Sequence, residues 1–245
     1  MIDINVVGYD VEGLRDKAQA LAEQLGFVLE KEANPCLFLT EEQLALKTPN
    51  FSLLFSEFQA AVWHKRRNEG KKQGLVRACK PVPGLKIIDA TAGWGRDSAV
   101  LASFGAEVLM LERHPVMAAL LADALLHRNE PSEKQLRLSL HAGDAYSYLS
   151  GLKEDDYPDV IYIDPMHPER NKSALVKKDM QILQQMIGAD VDALGLIELA
   201  ITRVKQRVVV KWPQKIKPLL SANASVEGKT VRFDIYRAFV PSSRA

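Results

Sequence analysis

The chain contains little cysteine and no long apolar run. Its two cysteines among 245 residues, Cys36 and Cys79, lie far apart and form no Cys-x-x-Cys pair. Sparse cysteine of this kind argues against a disulfide scaffold and a zinc site, and it is typical of the reducing cytoplasm. No apolar run approaches the roughly 18–20 residues that cross a bilayer, and Met1–Gly13 lacks the features of a secretion signal. We therefore expect a cytoplasmic protein with no membrane partner and no metal.

A Pro/Gly cluster at Lys80–Gly84 separates two regions of different pattern. Residues 1–80 predict a small N-terminal α+β region, in which apolar residues share one helical face from Val11 to Leu25. Its predicted strands are Ile2–Val7, Phe27–Leu29, Leu37–Leu39 and Phe51–Phe55. Residues 81–245 form the larger predicted domain.

The larger domain repeats a strand–helix pattern, which predicts a parallel sheet with helices on both faces. Leu136–Leu140 alternates apolar and polar residues like an edge strand, whereas Val160–Ile163 is continuously apolar like a strand buried on both faces. That contrast favours the doubly wound order 3-2-1-4-5. The predicted strands are Leu85–Ala90, Ala106–Glu112, Leu136–Leu140, Asp159–Asp164 and Arg207–Lys211, and the predicted helices between them are Gly95–Phe104, Pro115–Arg128 and Asp144–Leu149.

A last predicted strand, Val231–Tyr236, follows Arg207–Lys211 without a convincing crossover helix. A short connection favours antiparallel pairing. We therefore expect a doubly wound, seven-stranded sheet that is mostly parallel with one antiparallel strand.

Three predicted strand ends carry residues suited to a nucleoside cofactor. In Asp89–Asp97, Gly93 and Gly95 let the backbone pass close to a ligand, although a plain strand-to-helix turn would look similar. Glu112 ends the second strand, where a carboxylate accepts from ribose hydroxyls unless it is only a solvated acid. Gly143-Asp144 follows the third strand, where an acid can accept from an adenine amino group or cap a helix. In open α/β sheets these ends line the ligand crevice.

The loop Asp164–Pro168, with the sequence Asp-Pro-Met-His-Pro, follows the strand expected at the sheet centre. Its two prolines stiffen the turn and hold Asp164 at the crevice. The loop resembles the Asp/Asn-Pro-Pro-aromatic motif of amino-methylating enzymes, with Met166 at the second proline and His167 at the aromatic position. In that motif the acid and a backbone carbonyl accept from the target NH₂ while the ring stacks on the base. The resemblance implies catalytic roles for Asp164, Pro165 and His167, although His167 could be an ordinary loop histidine.

Basic residues are clustered although the formal net charge is only +1. Near-neutrality is mildly unfavourable for nucleic-acid binding, but His64–Lys80 holds seven Lys or Arg and one acid. A second cluster follows the Asp164–Pro168 loop. A solvated face is the alternative to phosphate binding. We expect RNA contacts from Lys65, Arg66, Arg67, Lys71, Lys72, Arg170, Lys172, Lys177 and Lys178.

Over about His64–Tyr236 the chain resembles the RsmJ family of bacterial 16S rRNA guanine-N2 methyltransferases. The resemblance implies a class I (Rossmann-like) methyltransferase fold with S-adenosylmethionine as cofactor. It also implies a substrate: one guanosine near the 3′ end of 16S rRNA, free or in the small ribosomal subunit. The strings that carry it are Asp89–Asp97, Glu112-Arg113, Asp164–Pro168, Lys172–Lys178 and Arg232–Tyr236. Besides Asp89, Gly93 and Gly95, the implied cofactor contacts are Arg96, Asp97, Glu112, Arg113, Gly143, Asp144 and Asp164.

Three other functions remain open from the sequence. An NAD-dependent oxidoreductase would share the glycine turn and Glu112, but Ser98 stands where the dinucleotide fingerprint needs a third glycine. A non-enzymatic RNA-binding module would keep the basic clusters. A methyltransferase that acts on adenine-N6 in DNA or on a protein amide would keep the Asp164–Pro168 loop.

Overall fold

The structure, a computed structural model, describes residues 3–49, 51–127, 136–166, 186 and 192–239. Its N-terminal region is a five-stranded sheet in the order β2-β1-β3-β4-β5. Helix α1, Arg15–Leu25, packs on β1 and ends at Gly26, where φ is 69°. The strands are β1 Val6–Tyr9, β2 Val28–Leu29, β3 Cys36–Leu39, β4 Leu44–Thr48 and β5 Phe51–Leu54.

Most of the predicted N-terminal elements are confirmed, but the strand expected at Ile2–Val7 begins later, at Val6. Strand β4 was missed by the sequence analysis. Its first three residues are all buried. Its sequence Leu-Ala-Leu-Lys-Thr therefore lacks the apolar–polar alternation by which a half-buried strand is recognised. It forms because β3 and β5 both pair with it in antiparallel register, which is a tertiary effect that overrides weak local preference. Two helices then lead to the larger domain, α2 Ala60–Glu69 and α3 Gly74–Cys79.

The larger domain is built on a seven-stranded sheet in the order β11-β12-β10-β9-β6-β7-β8. The strands are β6 Lys86–Asp89, β7 Glu107–Glu112, β8 Leu138–Ala142, β9 Val160–Ile163, β10 Arg207–Pro213, β11 Ala224–Glu227 and β12 Val231–Arg237. The helices are α4 Arg96–Ala102, α5 Pro115–Leu126, α6 Ala145–Ser150 and α7 Ala193–Ile201.

The predicted order 3-2-1-4-5 is confirmed by the parallel strands β8-β7-β6-β9-β10. All four residues of β9 are buried, as expected for the strand at the sheet centre, whereas β8 is a largely exposed edge. Helix α5 begins with Pro115 at its first position, where a missing N–H costs nothing. The carboxyl ends of these five strands therefore meet at one edge of the sheet.

Strand β12 confirms the predicted antiparallel strand, and it lies between β10 and β11. Strand β11 was missed because Ala224–Glu227 is an exposed edge with little apolar character. The buried Arg232 of β12 pairs with Asp234 through Nε at 2.9 Å. Its remaining donors bind the carbonyl oxygens of Pro213, Gln214 and Ile216, each at 2.9 Å. The end of β10 and the segment after it are thereby held against β12.

The N-terminal sheet and the larger domain share a hydrophobic core. Trp94, in the turn between β6 and α4, is buried with Val116, Met117 and Leu120 of α5 among residues of the N-terminal sheet, including Leu37. Trp63 of α2 and four residues of α3 are buried in the core that includes residues of the seven-stranded sheet: Leu75, Val76, Ala78 and Cys79. The division of the chain after residue 80 stays a prediction. Among the described residues, no helix is both long and apolar enough to span a membrane.

Candidate functional site

The turn between β6 and α4 passes close to its neighbours without side chains at two positions. Gly93 and Gly95 have φ of 53° and 71°, in the left-handed region that favours glycine. A Cβ on Gly95 would approach Phe58 Cζ to 2.7 Å and Leu121 Cδ2 to 2.9 Å. The turn therefore requires glycine at position 95 for both conformation and space.

Asp89 lies beneath this turn rather than at its surface. Its carboxylate is buried and accepts from Ser98 Oγ at 2.5 Å and from the Thr91 N–H at 3.2 Å. Burial raises the pKa of Asp89 to about 7, although both hydrogen bonds oppose that rise. The geometry gives Asp89 a role in shaping the turn, and a direct cofactor contact for it stays a prediction.

Glu112 joins the end of β7 to the glycine turn. Its Oε2 accepts from the Gly93 N–H at 2.9 Å, and its Oε1 accepts from the His114 N–H at 2.8 Å. The carboxylate is thus fixed at the sheet edge where ribose recognition was predicted. The neighbouring Arg113 is exposed and pairs with Asp192 before α7, with Nη1 to Oδ2 at 2.8 Å.

The end of β8 lies beside Glu112. The Gly143 N–H donates to the Glu112 carbonyl oxygen at 2.9 Å. Asp144 caps helix α6 by accepting from the Ser147 N–H at 2.8 Å. The capping role is therefore present, and an additional contact from Asp144 to an adenine stays a prediction, because one side chain can serve both.

Asp164 follows β9 directly and touches the glycine turn. Its N–H donates to Thr91 Oγ1 at 2.7 Å, which fixes the start of the loop against the second residue after β6. Its carboxylate is about one-third exposed, at 32%. The structure thus brings Asp164 and Pro165 next to the turn at the carboxyl edge of the sheet, while His167 and Pro168 lie outside the described residues.

A charged cluster that the sequence analysis did not foresee surrounds Asp164. Lys211, near the end of β10, places Nζ 2.6 Å from Asp164 Oδ2 and 3.3 Å from Asp97 Oδ2. Asp97 also accepts from Arg66 Nη1 at 2.7 Å and from Tyr162 Oη at 2.6 Å. The cluster therefore alternates cation and anion from α2 to the loop after β9.

The charges of the cluster stabilise one another. Burial raises the pKa of Asp97, but Lys211 and Arg66 outweigh burial and hold that pKa well below its usual range. Burial lowers the pKa of Lys211, but the carboxylates of Asp97 and Asp164 have the larger effect and hold that pKa well above its ordinary value. Burial and the nearby Asp97 also raise the pKa of Tyr162. Lys211 is thus a cation and Asp97 an anion throughout the physiological pH range.

The basic segment of α2 and α3 is partly committed to contacts within the protein. Arg66 pairs with Asp97, and Arg67 Nε donates to the Ser103 carbonyl oxygen at 3.0 Å. Lys65 and Lys72 are exposed. Arg96, also exposed, begins α4 beside this segment. The other expected RNA contacts lie outside the described part of the chain: the side chain of Lys71 and the residues Arg170, Lys172, Lys177 and Lys178.

Comparisons with known proteins find relatives that match nearly the whole chain. A family described as "Putative SAM-dependent methyltransferase" matches residues 20–238. A protein of Legionella pneumophila named ribosomal RNA small subunit methyltransferase J is 66% identical over 235 residues, covering 96% of this chain and 97% of that protein. A Coxiella burnetii protein of the same name is 42% identical over 251 residues, covering 96% and 98% of the two chains.

A solved structure is similar over the same extent. The crystal structure of a SAM-dependent methyltransferase from Neisseria gonorrhoeae has a TM-score of 0.71 and 26% identity, and the match covers 96% of each chain. These relatives confirm the predicted class I methyltransferase fold and S-adenosylmethionine as the cofactor. They give no support to the dehydrogenase alternative.

Proposed function

The chain belongs to the family of ribosomal RNA small subunit methyltransferase J, and we propose that it methylates the exocyclic N2 amino group of a guanosine in 16S rRNA. The family resemblance of the sequence suggests a guanosine near the 3′ end of that RNA. The proposal includes a cytoplasmic protein whose partner is 16S rRNA or the small subunit. The observation that carries it is Asp164 at the carboxyl edge of the sheet, where its backbone N–H donates to Thr91 Oγ1 and its carboxylate binds Lys211.

The described residues fit S-adenosylmethionine. Glu112 presents a fixed carboxylate at the edge of the sheet where a ribose would lie, and the glycine turn lets a ligand approach the backbone closely. When bound, the cofactor supplies an electrophilic methyl group on a good leaving group.

Asp164 answers the chemical difficulty of the acceptor. An aromatic amino group is a weak nucleophile because its lone pair is delocalised into the ring. A carboxylate that accepts from one of its N–H groups favours a pyramidal nitrogen and stabilises the positive charge that develops there. Positioning the amino nitrogen in line with the methyl group then supplies most of the remaining catalysis. A base-paired amino group cannot be presented this way, so the target base is flipped out or unpaired.

The proposed RNA contact surface is the exposed basic side of α2 and α3. Lys65 of α2 is exposed there, as is Lys72 in the short turn between α2 and α3, and Arg66 of α2 contacts Asp97 in the charged cluster. Phosphate contacts on this surface would position the RNA, and the base itself would be recognised in the crevice. This arrangement supports an RNA substrate more than a protein amide.

The test is methyl transfer to small-subunit RNA from cells that lack this protein. Protein, labelled S-adenosylmethionine and either stripped RNA or intact small subunits are combined, and the RNA is digested to nucleosides. We expect label in N2-methylguanosine. Label in N6-methyladenosine would replace the proposed substrate, and binding of NAD without S-adenosylmethionine in a calorimetric titration would overturn the enzyme class.

The same assay tests Asp164 directly. We expect Asp164→Asn to lower the rate by about 100-fold or more, as loss of one preorganised group facing a developing charge does. The dissociation constant for RNA should stay within about threefold, because phosphate contacts elsewhere on the protein carry most of that binding. Asp156→Asn, an exposed acid before the opposite end of β9, is the matched control and should retain full activity. Equal losses of RNA binding and activity in Asp164→Asn would point to a scaffold role.

A further inference from the structure

We propose that Lys211 is a positioning residue, which holds the Asp164 carboxylate ionised and in a fixed orientation toward the target amino group. The proposal rests on the methyltransferase function proposed above, since it assigns the device that keeps the acceptor ready. Lys211 was not among the residues that sequence patterns single out.

The sheet register places Lys211 opposite Asp164. Strands β9 and β10 are parallel neighbours, and Val210 pairs with Ile163. Lys211 and Asp164 each come one residue after this pair, so both lie at the same level of the carboxyl edge. The Lys211 ammonium reaches Oδ2 of Asp164 at 2.6 Å, a charge-assisted hydrogen bond. The register of two neighbouring strands therefore fixes the relative position of the two residues.

Lys211 is itself held from its other side. Its Nζ lies 3.3 Å from Oδ2 of Asp97, and that carboxylate is fixed by Arg66 and by the hydroxyl of Tyr162. The side chains of Asp97 and Lys211 are only 17% and 28% exposed, so solvent screens these contacts weakly. Because the fixed Asp97 restricts the rotamers of Lys211, the lysine can hold the Asp164 carboxylate in one orientation.

The charges around Asp164 explain why it needs this cation. Among the described residues, the groups around it are Asp89 at the end of β6, Tyr162 on β9 and Lys211 on β10, with Asp97 of α4 bound to Lys211 and Arg66 of α2 bound to Asp97. Two of these neighbours are carboxyl groups, which favour a protonated Asp164. Lys211 opposes them. Without it, Asp164 would take up a proton at a higher pH and would lose acceptor capacity.

The arrangement also assigns the proton. Methyl transfer forms the N–C bond and breaks the S–C bond of the donor, which leaves a positive charge on the amino nitrogen until one proton departs. A carboxylate that is already paired with Lys211 is a weak base, so it acts as an acceptor of the N–H hydrogen bond during transfer. The proton then leaves to solvent after the N–C bond has formed.

The kinetic test compares Lys211→Met and Lys211→Arg with the wild type in single-turnover methyl transfer across pH 5.5–8.5. We expect Lys211→Met to lower the rate about 10- to 100-fold near pH 7. The dissociation constants for RNA and for S-adenosylmethionine should stay within about threefold of the wild-type values. The rate of Lys211→Met should rise with pH, whereas the wild type and Lys211→Arg should show no such acid limb. Lys215→Met, an exposed lysine beyond the end of the same strand, is the matched control and should behave as wild type. An unchanged rate and a flat pH profile in Lys211→Met would overturn the proposal.

A second measurement needs no substrate and so separates this proposal from the proposed function. The Asp164 carboxyl is followed by ¹³C NMR in protein labelled at aspartate, with Asp164→Asn to identify the signal. We expect it to titrate at a higher pH in Lys211→Met than in the wild type. Identical titrations would refute the role of Lys211 even in an active enzyme. If Lys211→Met fails to fold, Lys211→Gln is measured in the same way, with the same two outcomes.

Discussion

Asp89 places a carboxylate in a buried position beneath the glycine turn, with Ser98 and Thr91 as its donors. Its pKa is raised from 3.8 to about 7 by burial. Between those values the folded protein keeps a proton that the unfolded chain has released, so this residue makes stability fall as pH rises from about 4 to about 7. An amide of the same shape cannot ionise and should remove that dependence.

We therefore expect the unfolding free energy of Asp89→Asn, minus that of the wild type, to increase with pH through this range. Its slope should reach at most about 1.4 kcal/mol per pH unit and vanish above pH 7. Urea unfolding at several pH values measures it, and Asp155→Asn, an exposed acid, should give a flat difference. A pH-independent difference for Asp89→Asn would mean that the buried carboxyl stays ionised.

Single residues of the site could be predicted to different degrees. Asp164, Glu112 and Gly95 were identifiable because each follows or ends a strand that local pattern reveals. The partnership of Lys211 with Asp164 was not, because it depends on the register between β9 and β10, whose residues lie 47 positions apart. Asp97 was predicted as a cofactor contact, but its ion pair with Arg66 requires α2 to pack beside α4, and no local pattern encodes that.

Helix α4 depends on the glycine that precedes it. Gly95 combines a φ of 71° with close neighbours in Phe58 and Leu121. We expect Gly95→Ala to lower the unfolding free energy by roughly 2–4 kcal/mol, from backbone strain and overpacking together. Gly26→Ala is the control, because Gly26 has a φ of 69° but nothing within 4 Å of its Cβ position. It should lose only the strain, about 1 kcal/mol. Equal losses in the two variants would remove the packing argument.

Strands and helices with a clear period were predicted almost to their ends, whereas β4 and β11 were missed. Both are defined by pairing rather than by pattern. Strand β4 joins β3 to β5, and the exposed β11 is held to the sheet only through β12. The order of the central strands was predictable because burial on both faces demands a continuous apolar run, as in β9.

At the scale of the whole molecule, the small net charge conceals a basic surface on α2 and α3. Each phosphate contact to single-stranded RNA contributes about −0.7 to the slope of log affinity against log salt concentration. We expect the double variant Lys65→Ala, Lys72→Ala to reduce that slope by about 1.4, as measured by RNA-binding titrations at several salt concentrations. Lys17→Ala, an exposed lysine on α1, should leave it unchanged. An unaltered slope in the double variant would show that the RNA binds another surface of the protein.

The packing of the two regions could not be predicted from the sequence. Trp94 reads as part of a glycine turn, yet it enters the core formed with Leu37 and Met117. The turn that we propose to contact the cofactor is thus also a contact between the N-terminal sheet and the larger domain. Ligand binding that orders this turn should therefore stabilise both regions together.

Strand β12 lies between β10 and β11 although it follows both in the sequence. During translation, β10 therefore emerges with one edge unpaired and remains so until residues 231–237 have also left the ribosome. Such an edge pairs readily with other chains, so a stalled nascent chain is a hazard for aggregation. Lys211 lies on this same strand β10. We therefore expect a chain that stops before residue 231 to lack activity, because β10 then has no antiparallel neighbour to hold Lys211 at the site.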